Sequence, residues 1–496
     1  MIERLLIKLL EGVLQCFHRN DRGNTKPDAK GFFLGTASHP YHPNRSDNVF
    51  LTDLDLATHF QTLGASGSGK TMLILNLVIQ LMLLRYGFCL VDPHGDLINR
   101  ILRHMGSLTN SSSRDAQKWS AHIRSRLILI EPFRQHSVGF NPLEATAETR
   151  YPLIIELISI FRKLWESYWG PRMEELLKNT FLTLSANNLT LLEANRLLTD
   201  ESYRKILIDD LNLPEVKLYW TSRFNKLSPG QQSQYVEPLL TRLSMFTGDP
   251  NIRPIIGQCK STFNPRKAMD NGMWILLNLN KGELKENTYI LGALFTTYVQ
   301  RAAMSRVNIP EKYRRPFYLI IDEMASFLGG LNDFESILSE SRKMKLRFCC
   351  ANQFVAQLDS GLKSALLGNT GVQAFFRVSH KDATYLSSEL NPKEKTLIER
   401  NLVDLKVGQA YLKIKGQNPR IMKTAYVPDC KADPATIELI RQTSFAKYAR
   451  PKAEVEQAIQ KRSEELLSND IQTEDVNKSK SAFTPRRDFE EGLDGW

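Results

Sequence analysis

The sequence predicts an α/β protein organised on a mainly parallel sheet. Two observations carry this. Short, continuously apolar runs recur between helix-like stretches, and one of them leads into a glycine-rich loop followed by a long apolar helix. Continuous apolar strands separated by helices are what a parallel sheet covered on both faces requires. The 496 residues, 42% hydrophobic and 24% charged, exclude a largely disordered or collagen-like chain. A net charge of +11 points to an anionic partner, nucleic acid or anionic lipid, without choosing between them.

Along the chain, residues 1–30 are read as an amphipathic helix and linker. Met1–Asn20 carries Ile2, Leu5, Leu6, Leu9, Leu10, Val13, Leu14 and Phe17 at helical spacing, interrupted by Glu3, Arg4, Lys8 and Glu11. No stretch approaches the ~20 apolar residues of a spanning helix. The expectation is a cytoplasmic protein without a transmembrane segment, peripheral at the inner face of a membrane if the helix docks there. Gly31–Asp55 reads as short strands and turns. The strands that follow are expected at Phe60–Leu63, Phe88–Asp92, Leu127–Glu131, Trp274–Leu279, Phe317–Ile321, Arg347–Ala351, Ala374–Val378 and Ala410–Ile414.

Residues 31–143 and 251–440 are thus the two parts of one core. Between them, 144–250 is read as an all-helical insertion, with Leu153, Ile154, Leu157, Ile158, Phe161 and Leu164 at i, i+3, i+4 spacing. Residues 441–467 are read as a C-terminal helix, its charged amphipathic part at Arg450–Leu467. The polar tail at 468–496, with seven acidic and four basic side chains, is read as disordered. Six cysteines (Cys16, Cys89, Cys259, Cys349, Cys350, Cys430) lack metal-ligand spacing and read as buried reduced thiols.

The segment Gly64-Ala65-Ser66-Gly67-Ser68-Gly69-Lys70-Thr71 fits G-x-x-x-x-G-K-[ST] at every required position, with a strand before it and a helix after it. Glycines let backbone N–H groups converge on phosphate oxygens, and the helix N-terminus adds partial positive charge. Lys70 is placed to hold the β- and γ-phosphates and the Thr71 hydroxyl to ligate Mg²⁺.

The apolar strand Phe317–Ile321 ends in Asp322-Glu323. Asp322 suits the Mg²⁺ shell, and Glu323 suits a general base that polarises water. The doublet separates hydrolysing motors from kinases, whose nucleophile is a substrate group. Gln353, just past another strand, sits where a γ-phosphate sensor would. Asp92 ends Phe88–Asp92 and opens Asp92-Pro93-His94-Gly95-Asp96; it is either a site residue or a turn former. His94, with no second His or Cys nearby, reads as turn chemistry rather than metal ligation.

These motifs, with Val91–Leu97, Ile321–Met324, Asp333–Leu346, Ala351–Phe354, Gly368–Gly371 and Phe375–Arg377, resemble the HerA–FtsK superfamily of P-loop ATPases. The likeness is to type IV secretion coupling proteins of the TraD/TrwB kind, over roughly Phe33–Ile440. It implies a RecA-like core, ATP with Mg²⁺, and a ring hexamer that pumps double-stranded DNA. It also implies that Arg342, on the helix after Asp322-Glu323, reaches a neighbouring subunit's γ-phosphate, with Arg377 as second choice. Thr58-His59 stands where some members carry an arginine. Basic clusters at Arg301–Arg315 and Arg342–Arg347 are either DNA contacts or ordinary solvated faces. A competing reading is a nucleotide-gated assembly or energising ATPase of a secretion, mobilisation or defence complex without its own DNA track. Its protein partner would dock at the N-terminal helix or the C-terminal tail. A third is a helicase partnered with a separate nuclease.

Overall fold

The computed structural model describes residues 31–39, 42–166, 169–328, 334–358 and 360–465. The expectations for the N-terminal helix, for Cys16 and for the tail at 468–496 lie outside the described residues.

In chain order the strands are β1 (Gly31–His39), β2 (His42–Thr52), β3 (Phe60–Leu63), β4 (Gly87–Asp92), β5 (Leu127–Ile130), β6 (His136–Val138) and β7 (Trp274–Asn278). They continue as β8 (Phe317–Ile321), β9 (Leu346–Asn352), β10 (Val372–Phe375), β11 (Gln409–Ile414), β12 (Arg420–Thr424) and β13 (Ala449–Pro451). Eleven of them form one sheet in the order β2-β1-β12-β11-β10-β3-β9-β8-β4-β7-β5, and β13 pairs with β6 in a second, small one. From β10 to β5 every pairing is parallel, whereas β11, β12, β1 and β2 continue the sheet antiparallel.

Side-chain alternation buries both faces of the parallel part. Val91, Ile130, Leu277 and Ile321 belong to a core cluster on one face. Their chain neighbours Leu90, Leu129, Leu276 and Ile320 belong to a cluster on the other. This is why those strands read as unbroken apolar runs. Helix α1 (Lys70–Leu83) is buried along most of its length, which explains its composition. Its two polar breaks have partners: Asn76 Nδ2 and Gln80 Nε2 donate to the Phe33 carbonyl at 2.6 and 2.8 Å, and Gln80 Oε1 accepts from Phe33 N–H at 2.8 Å. They satisfy the backbone of β1 at a bulge between Phe33 and Gly35.

Helices α2 (Asp96–Thr109) and α10 (Pro434–Tyr448) pack against each other beside β5. Between β6 and β7 the described residues are helical, led by α3 (Ala147–Leu164), α4 (Pro171–Ala186) and α5 (Pro229–Thr247). Their core, with Phe161, Phe181, Trp220 and Phe224, is continuous with one face of the sheet. Helix α6 (Asn287–Met304) leads back towards β8, α7 (Phe334–Lys343) lies between β8 and β9, and α8 (His380–Leu390) with α9 (Lys395–Asp404) precedes β11. Among the described residues no helix is long and apolar enough to cross a membrane.

Three details differ from the sequence reading. Gly31–Asp55 is not a set of short strands: it is a hairpin of strands nine and eleven residues long, followed by one helical turn. β10 starts at Val372 rather than Ala374, because its register is set residue by residue against β3, from Val372 on Phe60 to Phe375 on Leu63. The helix expected from Arg450 begins at 452, since Ala449–Pro451 pairs with β6 and Pro451 cannot supply a helical N–H. Cys89, Cys349, Cys350 and Cys430 are buried free thiols, and Cys259 is a half-buried one.

Candidate nucleotide site

The loop 64–69 leaves β3 at the carboxyl end of the parallel strands, where neighbouring strands also deliver their last residues. Its backbone is fastened on both sides. Gly64 N–H donates to Asn352 O at 3.3 Å, and Ala65 N–H donates to Arg377 O at 2.9 Å. A side chain at Gly64 would place Cβ 2.5 Å from Phe376 Cβ, so only glycine fits. Gly69, the residue before α1, has φ +117°, a conformation open to glycine and costly for other residues. The Lys70 ammonium folds back over the loop, donating to the Gly64 carbonyl and, at 3.0 Å, to the Ala65 carbonyl. Burial lowers its pKa against the pull of Asp322 and Glu323. The Ser68 hydroxyl is buried and has no hydrogen-bond partner among the described residues. A cradle of glycines, a buried ammonium and an unsatisfied hydroxyl fits a polyphosphate.

β8 delivers the carboxylates, and β9 separates it from β3. Asp322 is 9% exposed. Burial, with Asp92 and Glu323 close by, pushes its pKa up to about 6, opposed by Lys70 and His94. Such a group gains from a cation. No group of three or more His, Cys, Asp or Glu side chains among the described residues could hold a metal alone. Mg²⁺ keeps several waters and takes one or two protein ligands plus phosphate oxygens, a set that a carboxylate such as Asp322 and a hydroxyl such as Thr71 fit chemically.

Glu323 has φ +54°, an uncommon left-handed backbone for a residue with a side chain. Its Oε1 accepts from Gln353 Nε2 and lies 3.1 Å from His94 Nε2. Asp92 caps a turn. Its Oδ1 accepts from His94 and Gly95 N–H at 3.0 and 2.9 Å, and its Oδ2 from Ile98 N–H at 2.9 Å.

These groups line one cleft of about 590 Å³. It brings together Ser66, Gly67, Gly69, Lys70, Thr71, Asp322, Glu323 and Gln353, with Asp92 and His94. Gly64, Ala65 and Ser68 shape the loop behind it. Arg342 is not there. It is exposed at the end of α7, at the opposite end of β9 from Gln353. At ~3.3 Å per strand residue this is roughly 20 Å away. Arg377 is exposed immediately beyond β10, beside the loop.

Sequence reasoning missed one wall of the cleft: Val407, Gly408, Lys423, Thr424 and Tyr426. Gly408 N–H donates to Ser68 O at 2.9 Å, and Thr424 N–H donates to Gly408 O at 2.8 Å. No motif marks these residues; they reach the loop through the β11–β12 pairing. His94 was read only as a turn residue. An adjoining groove of about 970 Å³ contains Arg100 and Arg441. Both are spoken for, by Asp429 at 2.8 Å and Glu131 at 3.0 Å.

The sheet order, the loop and the carboxylate pair define a RecA-like core of the P-loop NTPase class. Within that class the chain resembles coupling proteins of the TraD/TrwB type. Residues 316–401 match the family described as the TraM recognition site of TraD and TraG. The plasmid coupling protein TrwB in complex with ADP and Mg²⁺ shares the fold at a TM-score of 0.55 and 18% identity, over 83% of this chain and 98% of that one. TrwB with the GTP analogue GDPNP gives 0.54 and 17%, over 84% and 99%. VirB4 of Thermoanaerobacter pseudethanolicus gives 0.50 and 14%, over 83% and 99%. No curated protein matches the sequence.

Proposed function

We propose that this chain is an ATP-driven DNA translocase of the coupling-protein kind, working as a ring hexamer on double-stranded DNA. The observation that carries the reading is the convergence of Lys70, Asp322, Glu323 and Gln353 in one cleft. The fold shared with TrwB, seen there with ADP and Mg²⁺, supports it. The family match at 316–401 spans β8, β9 and β10 and so includes Asp322, Glu323 and Gln353.

In this reading Lys70 leaves the Gly64 and Ala65 carbonyls and binds the β- and γ-phosphates. Thr71 and Asp322 hold Mg²⁺, which supplies charge neutralisation at the phosphates. Glu323 takes a proton from water at the end of β8, and Gln353 orients it. Arg342 cannot reach its own site, which supports a role at a neighbour's. Lys70→Ala should abolish nucleotide binding. Glu323→Gln should retain binding and lose hydrolysis by about 10²-fold or more. Measuring both in one preparation tests the assignment; a Glu323→Gln protein that hydrolyses ATP normally would refute it.

A second reading, a partner-gated ATPase without a DNA track, is favoured by the internal use of a basic cluster. Arg301 pairs with Glu156 at 2.9 Å, Arg306 pairs with Asp270 at 3.0 Å, and Arg314 donates to the carbonyls of Arg306, Ile309 and Lys343.

A further inference from the structure

We propose that His94 is a positioning residue for hydrolysis: together with Gln353 it fixes Oε1 of Glu323, leaving Oε2 to take the proton from the attacking water. The inference rests on the reading of Glu323 as general base.

The turn that carries His94 does not need its imidazole. Asp92 secures that turn by accepting three backbone N–H groups. Gly95 supplies the positive φ, +84°, and its Cβ would lie 2.5 Å from Asn278 Oδ1. The turn is further tied to the segment after β7, where Leu279 N–H donates to Asp92 O at 3.0 Å and Lys281 N–H to Pro93 O at 2.7 Å. On this fixed support the His94 side chain stays 47% exposed, so packing does not explain it either. Its Nε2 instead lies 3.1 Å from Glu323 Oε1.

β8 lies between β9 and β4 in the sheet. Gln353 follows β9 and His94 follows β4, so the two side chains approach Glu323 from strands on either side. A carboxylate oxygen offers about two acceptor positions. With the Gln353 amide bonded to Oε1 and the His94 imidazole against the same oxygen, Oε2 is the oxygen turned to the reaction, and the carboxylate is held by groups from two independent strands. In the reaction, the water oxygen bonds to the terminal phosphorus and the bond from that phosphorus to the bridging oxygen breaks. The electron pair leaves with the nucleoside diphosphate, and the water's proton passes to Oε2.

The test compares His94→Phe, which keeps the ring and removes the donor, with His94→Gln, which keeps an Nε2 donor at similar reach. The readouts are single-turnover ATP hydrolysis and affinity for a fluorescent ATP analogue. Losing the polar contact that orients the carboxylate should slow His94→Phe by about 10- to 100-fold, with affinity unchanged. His94→Gln should stay within about threefold of wild type, since its amide can occupy the same donor position. Wild-type hydrolysis in His94→Phe would overturn the proposal, as would equal losses in the two variants or a parallel loss of affinity. Glu323→Gln is measured alongside. If it retained the wild-type rate, the base assignment would fall; if it lost hydrolysis while His94→Phe did not, only the role of His94 would.

Discussion

The imidazole of His59 donates from Nε2 to the Leu338 carbonyl at 2.8 Å and accepts at Nδ1 from Phe348 N–H at 3.1 Å. The residue just before the phosphate-loop strand is thereby joined to α7, which carries Arg342, and to β9, which leads to Gln353. His59 is buried at the end of β3 away from the nucleotide cleft, so Thr58-His59 contributes to the core rather than to phosphate binding.

That arrangement requires a neutral ring. Burial lowers the His59 pKa from 6.5 to about 4. Between those values the unfolded chain binds the proton and the folded one does not, so stability falls as pH drops through the window. The share of His59 is about 2 kcal/mol at pH 5. Asp322, raised to about 6, acts with the opposite sign in part of the window. It does so equally in wild type and in His59→Gln. Denaturant unfolding of both proteins at pH 7 and pH 5 should show the smaller loss in His59→Gln; equal losses would contradict the assignment.

Arg342 lies roughly 20 Å from the nucleotide cleft of its own chain, so the proposed role in hydrolysis is one at a neighbour's site. Arg342→Ala and Lys70→Ala proteins should each be inactive alone. Mixed, they should recover part of the ATPase activity, because an intact arginine then meets an intact phosphate loop in some pairs. Absence of recovery in mixtures that assemble, followed by light scattering, would remove Arg342 from the mechanism.

Val407 and Tyr426 are 69% and 70% exposed at the end of the cleft opposite the carboxylates. In the proposed reading, with the triphosphate on Lys70, these two side chains are the wall offered to the base. An aromatic face is worth about 1–3 kcal/mol to a stacked base and does not read its edge. Tyr426→Ala should therefore raise KM for ATP and GTP by a similar factor, roughly 10-fold, with kcat preserved. A change confined to one nucleotide would point to edge recognition.

Arg306 is fully buried, bonded to Asp270 and to the carbonyls of Met344 and Arg315 at 3.0, 3.0 and 2.8 Å. Arg306→Ala strands these groups and should cost about 3 kcal/mol in denaturant unfolding. It should leave DNA affinity per folded molecule unchanged. A stable variant with weakened DNA binding would reverse both statements.

What could be read from the sequence was whatever is encoded locally. The phosphate loop, the Asp322–Glu323 strand end and the buried parallel strands each carry their pattern in a few consecutive residues. β12 does not: in Arg420–Thr424 the apolar Ile421 is exposed with Lys423, while Arg420, Met422 and Thr424 share the inner face, and it is a strand because β1 and β11 flank it. The Val407–Tyr426 wall depends on that pairing and stayed hidden with it. Arg301, Arg306 and Arg314 looked like a solvated or DNA-facing cluster because charge is visible in a sequence and the Asp, Glu and carbonyl partners that neutralise it are not.

The most direct test of the central claim is steady-state ATP hydrolysis without DNA, with duplex DNA and with single-stranded DNA, at low and high salt, using Lys70→Ala as the blank. The account predicts strong stimulation by duplex that fades as salt rises, as phosphate contacts demand. A rate indifferent to DNA at both salt concentrations would contradict it and leave the partner-gated ATPase as the reading of this site.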